Sequence, residues 1–61
     1  MSLAEEMTRY RAKNRLTQRD LAQAAGVTVQ TICSVETGEQ TPSRITEQKI
    51  RLAMEEVSHE N

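Results

Sequence analysis

Residues 16–38 read LTQRDLAQAAGVTVQTICSVETG, and the order of capping residues and glycines in this stretch decides the fold. Thr17 and Asp20 have the spacing of a capping box, in which each side chain accepts a hydrogen bond from the backbone N–H of the other at the start of a helix. Gly26 suits the left-handed conformation that often ends a helix. Thr28 is placed to cap a second helix, which Gly38 ends. The stretch therefore predicts two short helices joined by a turn of residues 26–28.

Helices joined by so short a turn must cross steeply, and this arrangement is the helix-turn-helix unit, here residues 17–37. A close crossing needs a small residue on the first of the two helices, and Ala22 supplies it. Ile32 and Val35 are spaced to form the apolar inner face of the second helix. The spacing of these residues is consistent with the predicted turn.

The rest of the sequence predicts one further helix on each side of this unit. Ser2 and Glu5 have capping-box spacing, and the first helix is expected to run from about Ser2 to Asn14. Ser43 is placed to cap a fourth helix that continues to about residue 58. No stretch alternates as a half-buried strand would.

We therefore predict an all-α, small four-helix domain over residues 1–58, followed by a frayed tail at 59–61. Apolar side chains recur with helical spacing along the four helices. The predicted core consists of Leu3, Met7, Tyr10, Leu21, Ile32, Val35, Ile50 and Met54.

Composition excludes several classes of protein. A chain of 61 residues with one cysteine and one histidine has no disulfide framework, and no metal site or cofactor is expected. Cys33 is expected to be a small, partly buried apolar residue rather than a redox switch. No stretch is apolar enough to cross a membrane, and the N-terminus lacks the pattern of a secretion signal, so a cytoplasmic location is expected. No combination of residues suggests catalysis, so an enzyme is not expected.

The charge is unevenly distributed along the chain. The net charge is −1, which by itself does not favour a nucleic-acid partner. Residues 1–33, however, contain five basic and three acidic residues, whereas residues 34–61 contain three basic and six acidic ones. Such a polarised domain can still present a positive side to DNA. Arg9, Lys13 and Arg15 are either phosphate contacts or solubilising charge.

The stretch described above resembles the Cro/CI-type (Xre-like) helix-turn-helix regulators, which include phage repressors and small bacterial transcription factors. The resemblance covers roughly residues 7–54. It is carried by Leu16, Thr17, Gln18, Leu21, Ala22, Gly26, Val27, Thr28, Gln30, Thr31, Ile32, Val35, Glu36, Gly38, Pro42 and Ser43. It implies a lambda-repressor-like domain that reads the major groove of an operator with helix 29–37, as a homodimer at least on DNA. A repressor is expected, in a bacterial cell or a phage-infected host, associated with the nucleoid.

The resemblance also implies which residues contact DNA. Gln18 matches a phosphate-contacting position, and Thr37 and Arg44 lie where the following loop approaches the DNA backbone. Gln30 is the best candidate base reader, since a glutamine amide can bind adenine through two hydrogen bonds. The full implied set is Gln18, Thr28, Val29, Gln30, Thr31, Ser34, Thr37 and Arg44. Arg11 and Glu36 match an inward-facing ion pair that holds the recognition helix.

A protein-interaction module on the same fold, such as an anti-repressor or an antitoxin segment with weak or no DNA binding, is the alternative. An isoelectric point of about 5.7, a recognition helix whose reading surface carries no charge, and an acidic fourth helix favour it. The acidic fourth helix would then contact the protein partner. The salt dependence of binding separates the two hypotheses, because phosphate contacts weaken steeply as salt is added.

Overall fold

The computed structural model describes residues 2–59, with side chains as far as residue 55. These residues form four helices, α1 (Leu3–Asn14), α2 (Gln18–Ala25), α3 (Val29–Thr37) and α4 (Arg44–His59). No strand occurs in this part of the chain, and the predicted all-α class is confirmed. Helix α4 extends one residue into the predicted tail, 59–61, and the other two tail residues lie outside the described residues.

Local hydrogen bonds explain where the helices begin. Ser2 Oγ accepts from Glu5 N at 3.2 Å, and Ser2 N donates to a Glu5 carboxylate oxygen at 3.1 Å. The same reciprocal pair joins Thr17 and Asp20 at 3.0 and 2.9 Å. The hydrogen bonds from Thr17 lower the pKa of the Asp20 carboxyl. Each predicted capping box is therefore formed.

Three helices end in the left-handed backbone conformation. Gly26 and Gly38 adopt it with φ of 74° and 80°, as their positions in the sequence predict. Arg15, which follows α1, adopts it as well, with φ 56° and ψ 46°. A residue with a Cβ is strained there, because its Cβ approaches the following carbonyl oxygen. The residue that ends α1, Arg15, is therefore strained, whereas the glycine that ends α2, Gly26, is not.

Replacing Arg15 by glycine is expected to raise the free energy of unfolding by about 0.5–1 kcal/mol. Glycine relieves the strain of the left-handed conformation but adds backbone entropy to the unfolded chain. Urea denaturation of the variant and of wild type measures the difference.

Two controls separate this effect from loss of the arginine side chain. Arg15→Ala removes the side chain and keeps the strain, so it should not stabilise the protein. Gly26→Ala should destabilise it, although a Cβ at Gly26 would meet no atom within 4 Å. A stabilising Arg15→Ala would show that the side chain, rather than the backbone, is unfavourable.

The core lies where α2 packs against α3 and α4, and α1 packs against α3. Met7, Leu21, Ile32 and Ile50 are fully buried. Ala22 is 2% exposed, which fits its predicted position at a close helix crossing. The rest of the buried core consists of Ala25, Val35 and Ala53, with Leu3, Tyr10, Val27 and Met54 packed against its edge. Three residues predicted as core, Leu3, Tyr10 and Met54, are therefore only half-buried.

Candidate nucleic-acid interface

Helix α3 has one buried and one exposed side. Ile32 and Val35 are 0% and 5% exposed and anchor the inner side in the core. Val29 and Gln30, near the start of the helix, face solvent, and 41% of the Val29 surface is exposed. The turn of residues 26–28 is short enough to hold the start of α3 firmly against the end of α2. The outer side of α3 is therefore held in place by the core and exposed to solvent.

The residues predicted to contact DNA differ in their exposure. Gln18 and Thr31 are half-buried, and Ser34 is buried. The exposed members are Thr28, Val29, Gln30, Thr37 and Arg44.

The prediction that Ser34 faces outward is wrong, since only 9% of the residue is exposed. Backbone N–H groups of Glu39 and Gln40 donate to the Ser34 carbonyl oxygen at 3.0 and 3.4 Å. The Thr37 hydroxyl donates to the same oxygen at 3.2 Å. The outward placement came from the resemblance, whereas the folded domain buries Ser34 next to the buried Val35.

Two threonine hydroxyls are paired at the start of α3. Thr28 Oγ1 accepts from Thr31 N at 3.2 Å, as expected of a cap, and lies 2.9 Å from Thr31 Oγ1. A hydroxyl has one donor and two acceptor sites, so this contact uses only part of the capacity of each group. The pair fixes both side chains beside the exposed Gln30.

Arg11 and Glu36 form a bidentate ion pair between α1 and α3. Arg11 Nε lies 2.7 Å from Glu36 Oε2, and Arg11 Nη2 lies 2.8 Å from Glu36 Oε1. Arg11 Nη1 also donates to the carbonyl oxygen of Leu16 at 3.2 Å. The guanidinium therefore holds three segments together, namely α1, the loop between α1 and α2, and α3. Two parallel hydrogen bonds fix the direction of the contact as well as its strength.

Gln18 belongs to the same cluster. Its amide Nε2 donates to Glu36 Oε1 at 3.0 Å, so the first residue of α2 is bound to the last turn of α3. No pattern in the sequence indicates this contact, because Gln18 and Glu36 are 18 residues apart and lie on different helices. We name Arg11, Gln18, Glu36 and the Leu16 carbonyl the Glu36 cluster.

The electrostatics of the Glu36 cluster favour the charged forms. Burial opposes ionisation of Glu36, whose side chain is 7% exposed, but the hydrogen bonds from Arg11 and Gln18 prevail and lower its pKa. The hydrogen bond to Glu36 in turn raises the pKa of Arg11. The cluster is therefore a charged, hydrogen-bonded contact that holds α3 against α1 and the start of α2.

Cys33 is exposed, and the expectation that it is partly buried is wrong. It lies three residues after Gln30 and four after Val29, a spacing that places all three on one side of a helix. Cys33 therefore belongs to the outer surface of α3, although the resemblance did not assign it there.

Some other kinds of site are absent from the described residues. No group of three histidine, cysteine, aspartate or glutamate residues in them is arranged to hold a metal ion. None of the helices in the described part of the chain is long and apolar enough to span a bilayer.

Comparison with known families gives one result. A family model described as a helix-turn-helix domain matches residues 2–52, which is most of the chain. No curated protein and no solved structure matches the chain. The matched range contains the Glu36 cluster and all of α3.

Proposed function

The chain belongs to the helix-turn-helix domain family, and from this premise we propose that it is a sequence-specific transcriptional regulator of the Cro/CI type. It acts as a repressor that occupies an operator, as a homodimer, in the bacterial cytoplasm. Two copies would bind half-sites about one helical turn apart, roughly 34–36 Å. The observation that carries the proposal is the exposed outer side of α3, which the core and the Glu36 cluster hold in a fixed orientation.

Base reading is assigned to the start of α3. Gln30 is exposed and its amide offers both a donor and an acceptor, which matches the major-groove edge of adenine. Val29 is the apolar neighbour that would contact a thymine methyl group. Helix α3 has no basic residue, so contacts to phosphates must come from its surroundings. Arg44 at the start of α4 is exposed and is proposed for that role.

Gln18 keeps a proposed phosphate contact in a modified form. Its amide nitrogen is used by Glu36, so a phosphate would be bound by its backbone N–H at the start of α2. The side chain then positions the recognition helix. This assignment separates Gln18 from Gln30, whose amide is proposed to read a base.

Replacing Gln30 by alanine is expected to weaken binding to the preferred DNA sequence about 5- to 150-fold, the worth of one bidentate base contact. The preferred sequence is first selected from a random DNA pool, and binding is then measured by mobility shift. Gln23→Ala, which removes an exposed glutamine from α2, is the matched control and should bind as wild type does. Equal binding of every sequence by wild type and Gln30→Ala would rule out base reading by Gln30.

Cys33 provides an independent test of which surface meets DNA. It is the single cysteine of the chain and is exposed, so a thiol-specific alkylating reagent labels one known position. Bound DNA is expected to slow its alkylation severalfold, because the outer side of α3 would be enclosed in the major groove. The rate is measured by mass spectrometry with and without the selected DNA. An unchanged rate on a saturated complex would contradict the proposed orientation.

The protein-interaction module is the second candidate, favoured by the absence of basic residues from α3 and by the exposed Glu39 beside it. Its binding would change little with salt, whereas DNA binding weakens roughly in proportion to the number of phosphates contacted. A chain that does not bind the selected pool even at low salt would exclude the regulator and leave this candidate.

A further inference from the structure

Four side chains make up the outer side of α3. Val29, Gln30, Cys33 and Thr37 are exposed, whereas the other five residues of the helix are half-buried or buried. Val29, Cys33 and Thr37 follow one another at intervals of four residues, so they form a nearly straight line along the helix. Gln30 stands beside this line, one residue after Val29. We name these four residues the α3 ridge.

The α3 ridge carries no charge. Its side chains are one isopropyl group, one amide, one thiol and one hydroxyl. Glu36 is the charged residue of α3, and its carboxylate is bound within the Glu36 cluster. The Thr37 hydroxyl donates its proton to the Ser34 carbonyl oxygen at 3.2 Å. The ridge therefore offers the amide of Gln30 as a donor and acceptor, and apolar surface around it.

The composition of the α3 ridge discriminates between base pairs. Guanine presents two acceptors in the major groove, which arginine or lysine binds, and cytosine presents an amino group, which aspartate or glutamate accepts. None of these four residue types occurs in the ridge. Adenine matches an amide, and the thymine methyl group matches an apolar side chain. The chemistry of the ridge therefore fits A·T pairs.

We propose that the α3 ridge reads a half-site of consecutive A·T pairs, in which Gln30 binds an adenine and Val29 and Cys33 each contact a thymine methyl group. This inference rests on the proposed function and names the class of DNA sequence that the proposed regulator recognises. It makes Cys33 a specificity-determining residue, a role that the resemblance to known regulators does not assign to it.

Cys33 lies at the centre of the α3 ridge, four residues from Val29 and four from Thr37. A free cysteine behaves as a small apolar group. A small side chain at the centre of the ridge lets the helix approach the base edges closely. Because the ridge is uncharged, this approach buries no charge against the methyl groups, which would be costly. Cys33 is therefore suited to an apolar contact at the floor of the groove.

The length of the α3 ridge sets the size of the half-site. Eight residues separate Val29 from Thr37, a rise of about 12 Å along the helix. A helix lying along the groove would then span about three to four base pairs, at about 3.4 Å each. Val29 and Cys33 are about 6 Å apart along the axis, which is close to two base-pair steps. Two methyl contacts are accordingly expected about two base pairs apart.

Selection of bound sequences from a random DNA pool is the first test. Each half-site is expected to contain a run of about three to four A·T pairs. Selected half-sites that lack such a run would overturn this inference and leave the DNA-binding proposal standing. A pool from which the chain selects nothing at low salt would overturn both.

Replacing single thymines by uracil in the selected DNA tests the two methyl contacts, because uracil lacks the methyl group and keeps the base pairing. Wild type should bind about fourfold more weakly at each of two thymines, the worth of one buried methyl group. Cys33→Ser should abolish the uracil effect at one of these thymines and keep it at the other, and Val29→Ser should do the reverse. Both residues are exposed, so the fold should persist, as circular dichroism would show.

Gln23→Ala, which alters an exposed residue of α2, is the matched control and should keep both uracil effects. Cys33→Ser that remains as sensitive to uracil as wild type at every thymine would show that Cys33 contacts no methyl group, and the inference would fall. That result would leave DNA binding itself intact.

Discussion

Glu36→Ala is expected to lower the free energy of unfolding by about 3–5 kcal/mol, because it leaves the Arg11 guanidinium largely buried without its partner. The side chains of Arg11 and Glu36 are 20% and 7% exposed, so water screens little of this cost. Gln18 loses its hydrogen-bond acceptor in the same variant. Urea denaturation followed by circular dichroism measures the loss. Glu39→Ala, which removes an exposed glutamate nearby, is the control and should change stability by less than about 0.5 kcal/mol.

A double variant distinguishes loss of the ion pair from exposure of one unpaired charge. Arg11→Met combined with Glu36→Leu removes both charges and restores apolar volume. It should be more stable than Glu36→Leu alone, since replacing an entire buried pair is often close to neutral. If the double variant is as unstable as the sum of its single changes, the two side chains do not act as a pair.

The contribution of Glu36 depends on pH in a defined direction. Its pKa in the folded protein is lower than the ordinary value of 4.5, because Arg11 and Gln18 donate hydrogen bonds to the carboxylate. Folding therefore favours the ionised form, and the resulting stability is fully present above pH 4.5. It is lost as the pH falls through the lowered pKa. The stability difference between wild type and Glu36→Gln should accordingly shrink below pH 4.5.

Ile32→Ala is expected to cost about 2–5 kcal/mol, and Ile32→Val about 0.5–1.5 kcal/mol. Ile32 is fully buried, and truncation leaves a cavity beside α2 in addition to the lost apolar contact. A domain of this size has a single core that rarely supplies more than about 3–5 kcal/mol. Ile32→Ala should therefore be largely unfolded at room temperature, as seen by loss of the helical circular-dichroism signal.

Val29→Ala provides the comparison on the same helix. Val29 is 41% exposed, so its truncation removes little buried surface, and alanine favours a helix more than valine does. The variant should keep the stability of wild type or slightly exceed it. Equal losses at positions 29 and 32 would mean that α3 does not have one buried and one exposed side.

Several site residues show how far local reasoning extends. Helical spacing predicted Ile32 and Val35 as core, and both are buried. The resemblance placed Ser34 outward, whereas the structure buries it. Gln18 was predicted to contact a phosphate, because the resemblance places it at such a position. Its hydrogen bond to Glu36 was not predicted. Helical spacing describes one helix at a time. The burial of Ser34 and the hydrogen bond between Gln18 and Glu36 depend instead on how neighbouring segments pack.

By itself the sequence determined where the helices begin and end. Thr17 with Asp20, and Thr28 with Thr31, make hydrogen bonds between residues three apart, and Gly26 and Gly38 satisfy a local backbone requirement. Such contacts form within a single turn and do not depend on the rest of the fold.

Only the tertiary structure decided which side chains meet across helices. The pairs Arg11 with Glu36, Gln18 with Glu36, and Glu6 with Arg51 join residues 25, 18 and 45 positions apart. The distances between such residues are set by the angles at which the helices cross. Those angles follow from the packing of Met7, Leu21, Ile32 and Ile50 in one shared core. The outer side of α3 is therefore specified locally as a helix, but its orientation is fixed by contacts that only the folded domain makes.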